Sequence, residues 1–248
     1  RPFRQPHHSI TAISLIGGGT HPRPGEISFA HNGVLFLDEL PEFKRATIEM
    51  LRQPMEEGLV TISRAQKSIQ FPARFMLIAA MNPCPCGYHN HPHKECTCST
   101  EKIKAYFNRI SGPLLDRIDI QLNVSPVSFS DLQPVATDLD GFSKLVEKIA
   151  YTREIQYKRF EEENGYKTNS QMSSLDLKTY CLLDTPSERL LEKAMNAFQF
   201  SARAYTRILK VARTIADLDQ SINIESRHIS EAIQYRCIER VGEDKYQS

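Results

Sequence analysis

The first 127 residues alternate short apolar runs with Gly and Pro punctuation, whereas the remainder repeats apolar positions at helical spacing. Val34–Leu37 is a run of four apolar residues that stops at Asp38 and Glu39, and residues 75–81 form a second run that stops at Asn82. Both are too short for buried helices and too continuous for half-exposed strands, which predicts central strands of a largely parallel sheet. Residues 118–124 give a third strand, weaker and alternating. Between the first two, residues 42–53 carry Phe43, Ala46 and Met50 or Leu51 at helical spacing and predict one helix that ends before Pro54. Residues 58–71 read as two alternating strands around a turn, with Arg64 and Lys67 in the turn region. An open α/β sheet normally has more strands than this, so the sheet is expected to be incomplete.

Beyond residue 127 the pattern is helical. Residues 126–141 are polar and contain breakers, the character of a linker, and residues 142–164 read as a long charged amphipathic helix ended by Gly165. Thr185-Pro-Ser-Glu188 reads as a capping box with Pro at the first helical position, opening a helix through Phe198. Ser201 can cap a helix whose apolar stripe is Tyr205, Ile208, Leu209, Ala212, Ile215 and Ala216. Residues 227–236 predict a last helix. The expected division is an α/β part over 1–127, a linker and long helix over 128–167, and a helical part over 168–248.

Composition narrows the function classes. Of 248 residues, 40% are hydrophobic and 25% charged, which is ordinary for a folded globular chain and too apolar for a disordered one. The formal net charge is +1, so any surface for nucleic acid must be local rather than global. No run approaches the ~20 apolar residues of a membrane span and no signal peptide opens the chain, which predicts a cytoplasmic protein without a membrane partner. The first residue is Arg1 rather than Met, and the sequence reads as a fragment of a longer protein. Four of the six cysteines, Cys84, Cys86, Cys96 and Cys98, fall within fifteen residues, while Cys181 and Cys237 stand alone. That clustering fits a reducing compartment better than a disulfide scaffold.

The strongest candidate chemistry is Gly33-Val-Leu-Phe-Leu-Asp-Glu39. A buried strand ending in two carboxylates aims them out of the carboxyl edge of a sheet, where open α/β folds bind ligands. There Asp38 can hold a hydrated Mg²⁺ and Glu39 can orient a water against a phosphate. The plainer reading is two solvated acids opening a turn before Pro41. Asn82 would set an amide beside them, or merely open an Asn-Pro turn. The cysteines, spaced C-P-C-x₉-C-x-C, can close a tetrahedral structural Zn²⁺ site, and His89, His91 or His93 can replace a thiolate. Free thiols or a disulfide are the alternatives.

Taken together, Asp38, Glu39 and Asn82 resemble the Walker B acids and first sensor of an AAA+ ATPase. More narrowly, the chain resembles the magnesium-chelatase-like ComM/YifB family of bacteria. The resemblance runs through Pro2-Phe-Arg-Gln-Pro-His-His8, Gly17-Gly-Gly19, Pro24-Gly-Glu26, the stretch from Phe29 to Phe43, Ser111-Gly-Pro-Leu-Leu-Asp-Arg-Ile-Asp119, and 201–218. It implies an α/β fold: a truncated AAA+ P-loop NTPase core followed by an all-α helical lid. It also implies ATP and Mg²⁺ as cofactors and a homo-oligomeric ring, a hexamer by family habit. By the same resemblance Arg117 matches the arginine finger that reaches a neighbouring subunit's nucleotide. A salt bridge to Asp116 or Asp119 is the alternative for that residue. Arg203 matches the second sensor on the lid, with Arg207 and Lys210 on the same helix face; a solvated face is the alternative.

In the related MCM helicases a hairpin in the place of 58–71 projects a basic residue into the pore, so Arg64 and Lys67 are expected to contact single-stranded or branched DNA. A charged, soluble hairpin tip explains the same residues. No G-x-x-x-x-G-K-[ST] occurs anywhere, and Gly17–Gly19 is followed by no Lys, so the fragment is expected to be inactive alone. The function expected is ATP hydrolysis coupled to remodelling or translocation on DNA. Two rivals remain at this point: the ATPase subunit of a magnesium-insertion complex, and a non-enzymatic zinc-stabilised interaction module.

Overall fold

The computed structural model describes residues 1–64, 67–125, 139–161 and 168–236, without the side chains of Arg64, Lys67 and Leu139. The hairpin turn at 65–66, most of the expected linker, Gly165 and Cys237 lie outside the described residues. The chain forms two compact units, one of the described residues up to Ile118 and one of those from Asp119 onward.

The first unit is built on a parallel sheet of β1 (Phe3–Arg4), β4 (Val34–Leu37) and β7 (Met76–Ala79), in the order β1-β4-β7. Two antiparallel pairs accompany it, β2 (Gly17–Gly18) with β3 (Arg23–Pro24) and the hairpin of β5 (Leu59–Arg64) with β6 (Lys67–Pro72). The helices here are short: α1 (Ala12–Ile16), α2 (Glu26–Phe29), α3 (Arg45–Glu49), α4 (Arg52–Glu57), α5 (Thr100–Phe107) and α6 (Gly112–Leu115). Strand β4 organises the unit. Leu35 and Leu37 are fully buried among Leu15, Ile27, Ile48 and Leu51, each worth about 1.5–3 kcal/mol relative to exposure. Gly33 lets β1 lie against it: a Cβ there would stand 2.0 Å from the carbonyl oxygen of Pro2, which accepts the Val34 N–H at 2.9 Å.

Three expectations fail here, each for a physical reason. The single helix expected over 42–53 is a 3₁₀ turn, Leu40–Glu42, followed by α3 and α4, and Pro54 sits inside α4. The break at Met50 and Leu51 moves Pro54 into the first turn of a new helix, where its missing N–H would have had no partner anyway. Among the described residues strand β7 lies at an edge of the three-stranded sheet rather than at its centre, with Met76 62% and Ile78 42% exposed. Residues 118–124 form no strand: Ile120, Leu122 and Val124 alternate as read, yet all three stay exposed, and alternation without a neighbouring ladder does not make a strand.

The second unit is helical: α7 (Leu139–Arg159), α8 (Ser174–Tyr180), α9 (Thr185–Phe198), α10 (Ala202–Leu218) and α11 (Ser226–Gln234). Its core gathers Phe160, Leu191, Ile208, Ala212, Ala216 and Ile229. Ser201 caps α10 by accepting the Ala204 N–H, as the sequence predicts, but α9 is capped one residue earlier than read, by Asp184 accepting the Ser187 N–H at 2.9 Å. Of the α10 stripe only Tyr205 stays exposed. Helix α7 starts three residues before the expected 142, and the Phe160 that follows it enters the core.

Candidate active site and metal centre

The ladder between β4 and β7 runs on past the strands, with Ala80 N–H donating to Leu37 O and Leu40 N–H to Ala80 O. Asp38, Glu39 and Asn82 therefore stand together at the carboxyl edge of two neighbouring parallel strands, the place where such sheets bind ligands. Glu39 adopts left-handed backbone angles, φ 52° and ψ 46°, unusual for a residue with a side chain. Its N–H donates to Asp38 Oδ1 at 2.9 Å and its carbonyl accepts the Glu42 N–H at 2.7 Å, which locks this turn. Such conformations are costly and concentrate at functional sites.

Three residues around these acids were given no role by the sequence. His8 meets Glu39 through an Nδ1 to Oε2 contact of 3.0 Å. Arg109, just past α5, donates to Pro41 O at 3.1 Å and to Glu42 Oε2 at 2.9 Å, fastening the turn that follows Glu39. Tyr106 is buried beside it, and burial first, then the nearby Glu42 carboxylate, push its phenol above the ordinary value while the Asn82 backbone hydrogen-bonds it. The doubled histidine of the opening phrase is the one local signal of the three; Tyr106 and Arg109 find their partners across more than twenty residues.

The remaining candidates are placed differently. Arg117 is only 6% exposed: its Nη1 donates to Pro113 O at 2.6 Å and its Nη2 pairs with Glu56 on α4 at 2.9 Å, while no group among the described residues hydrogen-bonds its Nε. The carboxylate that pairs with it among the described residues is Glu56. Arg203 lies in the second unit, exposed in the first turn of α10. Of the basic face it shares, Arg207 pairs with Asp119, and Lys210 donates to Ser170 O at 2.9 Å with burial holding its ammonium below the ordinary value. Arg207 and Lys210 are thus engaged within the unit. Arg64 and Lys67 are paired across the end of the hairpin ladder; their side chains lie outside the described residues.

The four clustered cysteines do converge. Their Sγ atoms all lie within 4.8 Å of one another, with Cys84–Cys86 at 3.3 Å, Cys86–Cys96 at 3.5 Å and Cys84–Cys96 at 3.7 Å. Four sulfurs around one Zn²⁺ at ~2.3 Å stand about 3.8 Å apart, so this set fits a tetrahedral ion with little movement. No histidine joins it: His89 contributes its backbone N–H to Cys84 Sγ at 3.3 Å, and His91 accepts the N–H of His93. The Tyr88 backbone N–H and the neighbouring sulfurs draw the Cys86 thiol down to about 5. At Cys96 the Cys98 backbone acts in the same sense, but burial and the sulfurs of Cys86 and Cys84 outweigh it and push the thiol up to about 12. Binding of a divalent ion by the four sulfurs would release thiol protons. Cys181 is remote from all this, in the core of the second unit.

Comparison with known proteins gives two family models for the chain. The family model for magnesium chelatase, subunit ChlI, matches residues 1–132, and that for the C-terminal part of the same subunit matches residues 142–236. The competence protein ComM of Haemophilus influenzae is 47% identical over 241 residues, which cover 97% of this chain and 46% of ComM. The YifB proteins of Escherichia coli and Salmonella typhimurium are 44% and 43% identical over the same shares. The chain spans about half the length of these relatives.

Proposed function

Since this chain belongs to the magnesium chelatase ChlI family, and within it resembles ComM and YifB, we propose that it carries the hydrolytic edge of an AAA+ ATPase that works on DNA. The observation that carries the reading is the pair Asp38 and Glu39 at the carboxyl end of β4, with Glu39 locked in a left-handed turn. The donor set suits Mg²⁺-ATP: Asp38 Oδ1 is used by the Glu39 N–H, leaving Oδ2 for the hydration shell of a hard cation. When bound, Mg²⁺-ATP supplies the phosphoryl group and neutralises part of its charge. In this reading Glu39 orients the attacking water and Asn82 contacts it or the terminal phosphate. Arg203 senses nucleotide from the helical unit, and Arg117 serves a neighbouring subunit in a homo-oligomeric ring, a hexamer by family resemblance. The 248 residues contain no G-x-x-x-x-G-K-[ST], so hydrolysis on this reading needs a phosphate-cradling loop in addition to them.

The DNA half of the proposal is supported by the hairpin, whose facing strand ends are Arg64 and Lys67, and by the relative that is named a competence protein. Phosphate contacts from a basic tip would bind without reading sequence. The family description favours a second reading, an ATPase driving magnesium insertion. An ATPase assay of the intact protein separates them: single-stranded or branched DNA should raise turnover several-fold. Turnover indifferent to both forms of DNA would leave the chelatase reading standing instead.

For the cysteine cluster we propose one structural Zn²⁺ held by Cys84, Cys86, Cys96 and Cys98, which follow Asn82 closely enough to steady the end of β7. Purified without chelators, the protein should carry about one zinc per chain. Chelation or Cys96→Ser should remove the metal and lower the melting temperature, whereas Cys181→Ser should leave metal content intact. Metal-free protein with all four thiols open to alkylation would refute the site.

A further inference from the structure

We infer that the metal held by the cysteine cluster governs hydrolysis at the acidic edge, with α5 as the lever and Arg109 as the residue that positions the turn after Glu39. This rests on the zinc and hydrolytic readings above. One segment of chain, Asn82 to Arg109, joins the two places. It leaves the end of β7 at Asn82, passes through the four cysteines and enters α5 directly: Cys98 is followed by Ser99, which caps the helix by accepting the Lys102 N–H at 3.4 Å. The helix is seated by Ile103 and Tyr106, both buried, and by Ile110 just past it, which joins the core of the first unit. Its far end holds both strand ends. Arg109 Nη1 donates to Pro41 O at 3.1 Å and to Glu42 Oε2 at 2.9 Å, while the Asn82 backbone hydrogen-bonds the Tyr106 phenol. The Arg109 guanidinium stands 6.0 Å from the centre of the Tyr106 ring, so the two holds are made side by side.

The other end of the lever depends on sulfur. Residues 83–99 form no helix or strand, and their backbone hydrogen bonds close small turns, such as Gly87 N–H to Cys84 O at 3.0 Å and His91 N–H to Tyr88 O at 3.1 Å. The two arms meet at the cluster, where Cys84 and Cys86 on the side of β7 stand 3.7 and 3.5 Å from Cys96 on the side of α5. A bound ion replaces these weak thiol contacts with four metal–sulfur bonds, and so fixes the start of α5 against the end of β7. Without it the loop from Cys84 to Cys98 regains the freedom of an open chain, and α5 bears less firmly on the turn Leu40–Glu42. That turn follows Glu39 directly, so its order sets the order of the carboxylate. A carboxylate that must be arranged afresh at each attack lowers kcat and leaves nucleotide binding largely alone.

The test uses the intact protein, zinc-loaded or stripped by a chelator that is removed before Mg²⁺-ATP is added. Zinc content, kcat, nucleotide Kd and hydrogen exchange over residues 39–44 are measured for wild type, Arg109→Ala, Arg109→Lys and Glu39→Gln. Stripping wild type should lower kcat by about 10- to 100-fold with Kd little changed, speed exchange at the turn, and be reversed by added Zn²⁺. Arg109→Ala should show the same loss and the same fast exchange while still carrying zinc, and stripping it should cost less than about threefold more, because both changes act through one clamp. Arg109→Lys, which keeps a cation for Glu42, should recover part of the loss. Wild-type kcat and slow exchange in stripped protein would overturn the inference while leaving Glu39 in its role. So would losses from stripping and from Arg109→Ala that simply multiply, or a chain that binds no zinc. Should stripping unfold the chain, zinc-loaded Arg109→Ala decides alone: turnover and exchange at wild-type values would overturn the lever. If Glu39→Gln hydrolyses ATP at the wild-type rate, the hydrolytic reading falls, and the lever with it.

Discussion

Replacing Asp217 by Ala should destabilise the helical unit by about 3–5 kcal/mol, the usual cost of stripping one partner from a buried ion pair. Asp217 is completely buried on α10. Arg159, at the end of α7, donates to both its oxygens, at 2.8 and 2.5 Å. Arg213, one turn before it, donates at 3.0 Å, and Asn169 Nδ2 at 2.7 Å. The two guanidinium groups are committed elsewhere as well: Arg159 to Asn169 Oδ1, and Arg213 to the carbonyls of Ser221 and Ile222 that follow the helix. One carboxylate therefore balances two cations and joins three segments of chain. Burial pulls the Arg213 guanidinium below its ordinary value and Asp217 pulls it back. Without the carboxylate both charges would be buried unpaired.

Thermal or denaturant melts of Asp217→Ala and Asp217→Asn check this. Asn keeps the shape and loses the charge, so a large loss in both variants points to charge and not to packing. Removing Arg159 and Asp217 together, as Met and Leu, should cost clearly less than the sum of the single changes. A melting temperature for Asp217→Asn within a degree or two of wild type would remove the network from its structural role.

The contrast between this network and the strand β4 shows which parts of the fold can be read locally. Val34–Leu37 announces itself because a strand buried on one face and half-covered on the other still needs consecutive apolar residues, and the acids mark its end. The caps and stripe of α10 are equally local, since capping acts over three residues and helical packing repeats every three or four. Arg213 and Asp217 can be seen as an i,i+4 pair, but Arg159 stands 58 residues from its partner and nothing near it says so. The same holds at the candidate site. Asp38, Glu39 and Asn82 are legible as strand ends, whereas Arg109 reaches Glu42 across 67 residues. The four cysteines are legible as a set because their spacing is short; that the histidines between them stay outside depends on how the loop folds. Where a local rule misled, at Pro54 and at 118–124, context overrode it: a new helix start excused the proline, and the alternating segment joins no ladder among the described residues.

Glu39→Gln should reduce ATP turnover of the intact protein by about 10²–10⁴-fold, the contribution typical of a positioned general base, while nucleotide binding persists. The amide retains the size of the carboxylate and can still meet His8 with its carbonyl oxygen, so the turn at Leu40–Glu42 and the strand end should be unchanged. What is lost is the negative charge that polarises a water and accepts its proton. Removing that alone leaves ground-state binding intact, so kcat should fall and the nucleotide Kd should not. Asp38→Asn should behave differently. Its oxygen accepts the Glu39 N–H and its second oxygen is the proposed partner of hydrated Mg²⁺, so this change should weaken Mg²⁺-nucleotide binding as well as turnover. Measuring Kd and kcat side by side separates the two acids. Glu39→Gln protein that hydrolyses ATP normally, or that loses binding and turnover in equal measure, would take Glu39 out of the chemical step and return the pair to the plainer reading of two solvated acids at a turn.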